Sequence, residues 1–310
     1  MKNSIVLWVI AAVALIGGFF YFSQGDPSGS TSEEPIVIKG SDTEVQLVSS
    51  LAEAFNKENP GASISVTGGG SGVGIAALLN KEIDIANSSR PMSDDERGIA
   101  EQNGIDVREF VVARDGLSVI VHSGNPVREL TLDQIGKIYR GEVTDWKGVG
   151  GTPGKIVLYG RQSTSGTYKF FQDTVLKGDY STAMRNMEGT QQIVDAVVSD
   201  TNGIGYAGVG YIRDGKGNPR ADLKVVLVKE TPSGGAVSPL DAEAVLAGKY
   251  PIFRPIYQYL AGLPSKGSTA EAFLRFEVSP EGIAIVEESG FYALTADDTK
   301  KNEALLGLIR

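Results

Sequence analysis

Along most of the chain, short apolar runs alternate with segments whose apolar residues recur at helical spacing. Residues 36–38 form the first apolar run, and the helical face that follows it carries Val48, Leu51, Ala52 and Phe55. The same order of apolar run, turn and helical segment recurs three more times. Strands that alternate with helices in this way predict an open α/β sheet.

Hydroxyl-bearing residues and glycine fill the turn between each apolar run and its helix. The turns, named first to fourth, are residues 40–43 (GSDT), 68–71 (GGGS), 88–90 (SSR) and 161–167 (RQSTSGT). Helix capping explains any one of them, because Ser, Thr and Asp are the usual N-caps. Open α/β sheets, however, bind ligands beyond the carboxyl ends of their strands, where helix N-termini present unpaired N–H groups. Four such turns together predict an anion site, with charge from Arg161 and, as a weaker candidate, Arg90.

An uncharged apolar stretch at residues 5–22 precedes this pattern. It is long for the apolar part of a signal peptide and just long enough for a membrane span. We expect residues 1–25 to be a signal peptide or a membrane anchor and residues 26–34 to be a linker. The rest of the chain is then exported, to the periplasm or the outer face of the cytoplasmic membrane, and both release and tethering stay open.

Composition excludes several kinds of chemistry. The 310 residues include no cysteine and a single histidine, His122, so disulfides and thiol chemistry are excluded and zinc lacks its best ligand. The net charge of −9, without a basic patch, argues against a nucleic-acid partner. We expect neither a metal nor a cofactor.

Motifs for bond-breaking chemistry are incomplete. The GGGSGVG segment lacks the Gly-Lys-Ser/Thr ending of a P-loop, and Val73 stands where a nucleophile elbow needs glycine. A serine triad would need His122 close to Ser71 or Ser165, whereas a lone histidine beside a Gly-Asn-Pro turn is typical of a surface or hinge position. The sequence therefore favours a binding protein over an enzyme, and an exported serine hydrolase or phosphatase is the less favoured alternative.

Motifs along the chain resemble those of a known family. They are, in order, GSDT, GGGSGVGIAAL, DIANSSRPM, YRGEVTDW, GRQSTSGTYKFF, NGIGYAGVGY, YPIFRPIYQYL and FLRFEVSPEGIAIVEESGFYAL. The sequence thereby resembles the phosphate-binding proteins that serve high-affinity phosphate ABC importers. The resemblance covers residues 35–296, and the set of motifs is specific although each alone is weak.

The resemblance implies an α/β, two-lobed periplasmic-binding-protein-like fold of type II with two crossover strands. Residues 35–115 together with 256–310 are expected to form lobe 1, and residues 116–255 are expected to form lobe 2. Two crossings between the lobes permit hinge closure over a ligand.

The resemblance also implies which residues hold phosphate. The matching positions are Ser41, Asp42, Thr43, Ser71, Ser89, Arg90, Arg161, Ser165, Gly166 and Thr167. One branch of the family has an aspartate, which accepts the proton of phosphate, where this chain has Ser89. Asp42 is a candidate replacement for that acceptor, and the alternative is that it only caps its helix.

The implied function is capture of inorganic phosphate in the cleft between the lobes and its delivery to an ABC importer permease, by a protein expected to be a monomer. Membrane contact would come from the N-terminal segment if that segment is not cleaved. Two alternatives stay open at this point. The ligand could be another tetrahedral oxyanion (sulfate, tungstate or molybdate), or the protein could be a surface-anchored sensor or adhesion protein.

Overall fold

The computed structural model describes residues 35–214 and 217–307. The expected signal or anchor segment (1–25) and the expected linker (26–34) lie outside the described residues. The described residues belong to one compact unit. Within the described part of the chain, no helix has both the length and the apolar character needed to cross a membrane.

Strands and helices alternate as the sequence pattern predicts. The strands of the described residues are β1 (Ile36–Gly40), β2 (Ile64–Thr67), β3 (Ile85–Ser88), β4 (Val107–Gly116), β5 (Ser118–His122), β6 (Glu129–Thr131), β7 (Val157–Arg161), β8 (Arg185–Met187), β9 (Gly203–Ala207), β10 (Leu223–Val225), β11 (Leu227–Lys229) and β12 (Phe253–Ala261). The α-helices are α1 (Val45–Glu58), α2 (Ser71–Leu79), α3 (Asp94–Gln102), α4 (Leu132–Arg140), α5 (Gly166–Phe171), α6 (Thr190–Ser199), α7 (Ala242–Leu246), α8 (Thr269–Glu277), α9 (Pro280–Glu288) and α10 (Ala296–Leu305).

Two five-stranded sheets organise these elements. The first sheet has the order β2-β1-β3-β12-β4, and the second has the order β10-β5-β9-β7-β8. In the first sheet β1 pairs in parallel with β2 and β3, whereas β12 is antiparallel to β3 and β4. A short two-stranded sheet joins β6 to β11. The predicted two-lobed α/β fold is confirmed, and the lobe boundaries stay a prediction.

The chain crosses between the two sheets at two places. It leaves the first sheet at the end of β4 and enters the second within two residues, at β5. It returns at β12, which pairs along its length with β4 through a register shift at Ile256. The crossings therefore lie side by side, which is the arrangement that a hinge needs.

Apolar side chains cover both faces of the first sheet. Helix α1 buries Val48, Leu51, Ala52 and Phe55 as predicted, and these pack with Ile85 of β3 in one core cluster. Alternate residues of β3 and β12 belong to the core on the opposite face, beside α2 and α3. This alternation, set by the pleat of the strands, decides which side chains share a face.

Candidate functional site

The four predicted turns end strands of both sheets. The first, second and third turns end β1, β2 and β3 of the first sheet, and the fourth ends β7 of the second. Several of their side chains are buried although polar, namely Ser41, Thr43, Ser71, Ser89, Arg161, Ser165 and Thr167. Burial of so many polar groups is costly unless they bind one another or a ligand.

Hydroxyl groups from all four turns meet. The Oγ1 atoms of Thr43 and Thr167 lie 2.8 Å apart, and Thr167 Oγ1 lies 3.2 Å from Ser89 Oγ. Ser71 Oγ lies 3.4 Å from Ser89 Oγ and accepts the Ser89 N–H at 3.1 Å. These four residues, Thr43, Ser71, Ser89 and Thr167, are called the hydroxyl cluster below.

Glycine permits this close approach of the two sheets' turns. A Cβ atom on Gly166 would lie 2.2 Å from Ser71 Oγ, and a Cβ on Gly70 would lie 2.5 Å from the Thr164 carbonyl oxygen. The Gly72 N–H donates to that same carbonyl at 3.1 Å. Any larger residue at Gly70 or Gly166 would therefore push the second and fourth turns apart.

Arg161 is the buried cation of the site, with 1% of its surface exposed. Its Nη1 donates to Thr190 Oγ1 at 3.0 Å, and its Nη2 donates to the Glu188 carbonyl at 2.6 Å and to Asp42 Oδ2. Its Nε is buried and finds no acceptor among the residues that the structure describes. A guanidinium held in place with one donor unused is suited to receive an anion.

Asp42 joins the first turn to both the second and the fourth. Its Oδ1 accepts the Gly69 N–H at 3.0 Å, and its Oδ2 pairs with Arg161. Its backbone carbonyl accepts the Tyr211 hydroxyl at 2.6 Å. Glu44, and not Asp42, is the N-cap residue of α1, and the cap lacks a side-chain hydrogen bond. The alternative in which Asp42 only caps its helix is therefore wrong for this arrangement.

Two other predicted residues have local partners. Arg90 forms a two-pronged ion pair with Glu96, with both N–O distances at 2.7 Å, and it donates to the Pro91 carbonyl at 2.9 Å. These hydrogen bonds to Glu96 raise the pKa of Arg90. Ser165 is the N-cap of α5, where its Oγ accepts the Tyr168 N–H at 3.4 Å. Neither side chain takes part in the hydroxyl cluster.

A buried ion pair that the sequence patterns did not predict lies at the two crossings. Asp115 of β4 and Arg254 of β12 are 0% and 1% exposed, and Asp115 Oδ2 accepts from Arg254 Nε at 3.0 Å and Nη2 at 2.8 Å. Arg254 Nη1 donates to the Ser89 carbonyl at 2.9 Å, while Asp115 Oδ1 accepts the Val209 N–H at 3.0 Å. The available signal was a charged residue close to an apolar run in each strand, since Asp115 lies just after residues 110–113 and Arg254 just before residues 255–257.

Two buried tyrosines complete the surroundings of Arg161. The Tyr206 hydroxyl accepts the Arg161 backbone N–H at 3.0 Å, and Tyr211 holds the first turn as described above. Burial raises the pKa of each phenol to about 12. Both hydroxyls are therefore neutral near neutral pH and able to donate.

His122 lies apart from these hydroxyls. Its Nδ1 accepts the Gly124 N–H at 3.0 Å, and it lines a pocket with Trp146 and Asn202 that includes neither Ser71 nor Ser165. Among the described residues, no group of three or more His, Cys, Asp or Glu side chains could hold a metal ion.

Comparison with known proteins agrees with this class of two-lobed binding protein. Residues 25–281 match the model of the PBP superfamily domain. The chain is 32% identical over 305 residues to the phosphate-binding protein PstS of Staphylococcus haemolyticus, covering 95% of this chain and 93% of that protein. It is 31% identical over 285 residues to the Pseudomonas aeruginosa PstS, covering 87% and 86%.

Solved structures extend the likeness to three dimensions. A crystal structure from Clostridium perfringens, assigned to a phosphate ABC transporter substrate-binding protein and containing bound phosphate, superposes with a TM-score of 0.73 at 28% identity. The match covers 84% of this chain and 100% of that one. The chain therefore belongs, within the PBP superfamily, to the PstS family of phosphate-binding proteins, a family of transport binding proteins.

Proposed function

We propose that this protein binds inorganic phosphate between its two lobes and delivers it to the permease of an ABC importer. One observation carries the proposal: turns from both sheets form the hydroxyl cluster, and the buried Arg161 is bonded to Asp42, the neighbour of Thr43 in that cluster. Membership of the PstS family supports phosphate as the anion.

The chemistry of the site suits a phosphate dianion. Hydroxyl groups donate neutral hydrogen bonds, and Arg161 supplies the positive charge that a buried anion requires. Thr43, Ser71 and Thr167 are the proposed hydroxyl ligands from the cluster, with Ser41 beside them in the first turn. Ser89 is a further proposed ligand because it joins the cluster directly. We leave Arg90 out of the proposed contact set because it is ion-paired with Glu96.

Asp42 is proposed to act in two ways. Its ion pair with Arg161 fixes the guanidinium across the two lobes, and its carboxylate can accept the proton that phosphate carries. Sulfate carries no such proton near neutral pH, so an anionic acceptor beside the site would disfavour it. Selectivity for phosphate over sulfate is therefore the property that this carboxylate should control.

Hinge closure is the proposed way of enclosing the ligand. We propose residues 35–115 with 256–310 as one lobe and residues 116–255 as the other. The Asp115–Arg254 pair lies where the chain crosses between them and also binds the third turn through the Ser89 carbonyl. Closure strengthens each hydrogen bond to the anion because it excludes water.

The location and partners follow from this role. The binding protein works outside the cytoplasm as a monomer, meets a permease there, and performs no catalysis. Residues 1–25 act as its signal peptide or its membrane anchor.

Calorimetric titration of residues 26–310 tests the function. We expect one phosphate per protein, with sulfate bound far more weakly, at pH values on either side of the second ionisation of phosphate. The Asp42→Asn variant should show a smaller difference between its affinities for phosphate and for sulfate. Equal binding of both anions by the unmodified protein would contradict phosphate as the selected ligand, and binding of neither would reject the proposed function.

A further inference from the structure

A second buried polar group of residues lies behind the first turn. Glu44 follows that turn directly, Asn87 and Gln258 are paired neighbours on β3 and β12, and Glu277 ends α8. Each of these residues has at most 1% of its surface exposed. Gln258 Nε2 donates to Glu277 Oε1 at 3.0 Å. We call these four residues the inner acid cluster.

Strand alternation places the cluster on the face of the first sheet that α1 and α8 cover. Ile85 and Ile256 belong to the core cluster that includes residues of these two helices. Asn87 lies two residues after Ile85, and Gln258 lies two residues after Ile256, so both amides point to the same face. The cluster is therefore enclosed by the lobe's own core.

The cluster has too many acceptors. Unpartnered atoms among the described residues include five of its oxygens but only one of its nitrogens, namely Glu44 Oε1 and Oε2, Asn87 Oδ1, Gln258 Oε1 and Glu277 Oε2, against Asn87 Nδ2. An ionised carboxylate only accepts hydrogen bonds, whereas a protonated one also donates. Protons on the two carboxyl groups would supply the missing donors. Without these protons, two buried negative charges would lie beside oxygens that have no hydrogen-bond donor, which is costly.

Burial raises the pKa of Glu44 and of Glu277 well above the ordinary value for glutamate. Ser41 and Arg254 lower the pKa of Glu44 in part, whereas the neighbouring Glu277 and Asp115 raise it further. Gln258 is the group that lowers the pKa of Glu277. Arg254 is already bonded to Asp115 and to the Ser89 carbonyl, so it does not serve as a dedicated counter-ion for Glu44.

Ser41 connects the cluster to the anion site. The Glu44 N–H donates to the Ser41 carbonyl at 3.2 Å, and both side chains are buried, so they lie side by side in one turn. The Ser41 hydroxyl also lowers the pKa of Glu44. An ionised Glu44 would draw the Ser41 proton inward and leave the serine oxygen facing an anion as an acceptor. A protonated Glu44 can donate to Ser41 instead, which frees the serine hydroxyl to donate to the anion.

We propose that Glu44 and Glu277 form a buried proton-binding site and that the proton on Glu44 sets the Ser41 hydroxyl as a donor to the bound anion. Anion affinity then falls as pH rises through the titration of Glu44. This coupling rests on the proposed phosphate function, whereas the proton site itself does not.

The first test needs no ligand. A carboxyl group whose pKa is raised by folding stabilises the fold fully below its unfolded pKa, near 4.3, and loses that stability as pH rises toward the folded value. Glutamine cannot titrate. The melting temperatures of Glu44→Gln and Glu277→Gln should therefore increase relative to that of the unmodified protein as the pH rises. For one carboxyl group this relative gain is about 2–3 °C per pH unit within this window.

The second test measures protons taken up on phosphate binding, by calorimetry in buffers of different ionisation enthalpy. The change in protonation of phosphate itself is the same for all variants, so it cancels when the proton uptake of two variants is compared. We expect the unmodified protein to take up more protons than Glu44→Gln, by up to about one per anion in the pH range where Glu44 titrates. The amide of Glu44→Gln can donate to Ser41 as the protonated acid does, so its phosphate affinity should persist and lose this pH dependence.

Glu53→Gln is the matched control, because Glu53 lies on the exposed face of α1. It should follow the unmodified protein in both tests. Identical pH profiles for Glu44→Gln and the unmodified protein would overturn the proposal. It would also be overturned if Na⁺, K⁺ or Ca²⁺ stabilised the unmodified protein but neither Glu44→Gln nor Glu277→Gln, because the site would then bind a cation. Absence of phosphate binding would reject the proposed function and the coupling, while the melting temperatures would still decide the proton site.

Discussion

Replacement of Arg161 by alanine should weaken phosphate binding more than any other single change in the proposed site. The side chain is 1% exposed, and its Nε is an unused donor beside the turns. A hydrogen bond from Nε to a charged group contributes about 1.5–3 kcal/mol, and removal of the guanidinium also leaves the buried anion without its positive partner, which adds to the cost. The loss is then about 3 kcal/mol or more, which corresponds to at least about a 100-fold weaker affinity.

The fold should survive this change. Alanine removes the partner of Asp42, but the Asp42 side chain is 20% exposed and can be hydrated. The stability lost with that ion pair is therefore closer to the value for a partly exposed pair, about 1 kcal/mol, than to that of a fully buried one. Thermal melting followed by circular dichroism verifies that binding is measured on folded protein.

Matched variants separate charge from geometry. Arg161→Lys keeps the charge but loses the planar fork, so its affinity should lie between those of the unmodified protein and the alanine variant. Arg97→Ala removes an exposed arginine from α3, where 48% of the side chain is accessible, and should leave phosphate affinity within about twofold. Calorimetry with phosphate measures all three. A folded Arg161→Ala protein that binds phosphate as tightly as the parent would refute the site.

Two further changes test how the lobes meet. Gly166→Ala should weaken phosphate binding about tenfold or more, because its methyl group would overlap Ser71 Oγ in the closed arrangement. Gly98→Ala has open space around it and serves as its calorimetric control. Arg254→Met should lower the free energy of unfolding by about 3–5 kcal/mol, since it leaves Asp115 charged and unpaired in the interior. Urea denaturation measures this loss, and an unchanged midpoint would mean that the pair does not stabilise the fold.

Local sequence patterns were sufficient for the strands and helices that flank the four turns and for the positions of those turns. The buried face of α1 follows from helical spacing, and hydroxyl residues after strands indicated where the turns would gather. The pattern also singled out Arg161, whose flanking serines and glycine are close to it in sequence. Each of these inferences uses residues within one strand, turn and helix.

Contacts between distant segments could not be predicted in this way. Asp42 and Arg161 are 119 residues apart and meet where turns of the two sheets come together. Asp115 and Arg254 are 139 residues apart and meet because β4 and β12 pair. The burial of Glu44 could not be predicted either, because an acidic residue at the start of a helix is ordinarily exposed. Glu277 and Gln258, which are buried in the same cluster, come more than two hundred residues later in the chain.

The hydrogen bond between Thr43 and Thr167 has a kinetic consequence. It closes the gap between the first and fourth turns, and both side chains are 1% exposed. An anion in bulk water therefore has no direct collision route to these hydroxyls, and the turns must first separate. In stopped-flow mixing, the observed association rate should rise with phosphate concentration and then level off at the rate of that separation. The plateau would report how often the molecule opens, independently of how tightly it holds its ligand.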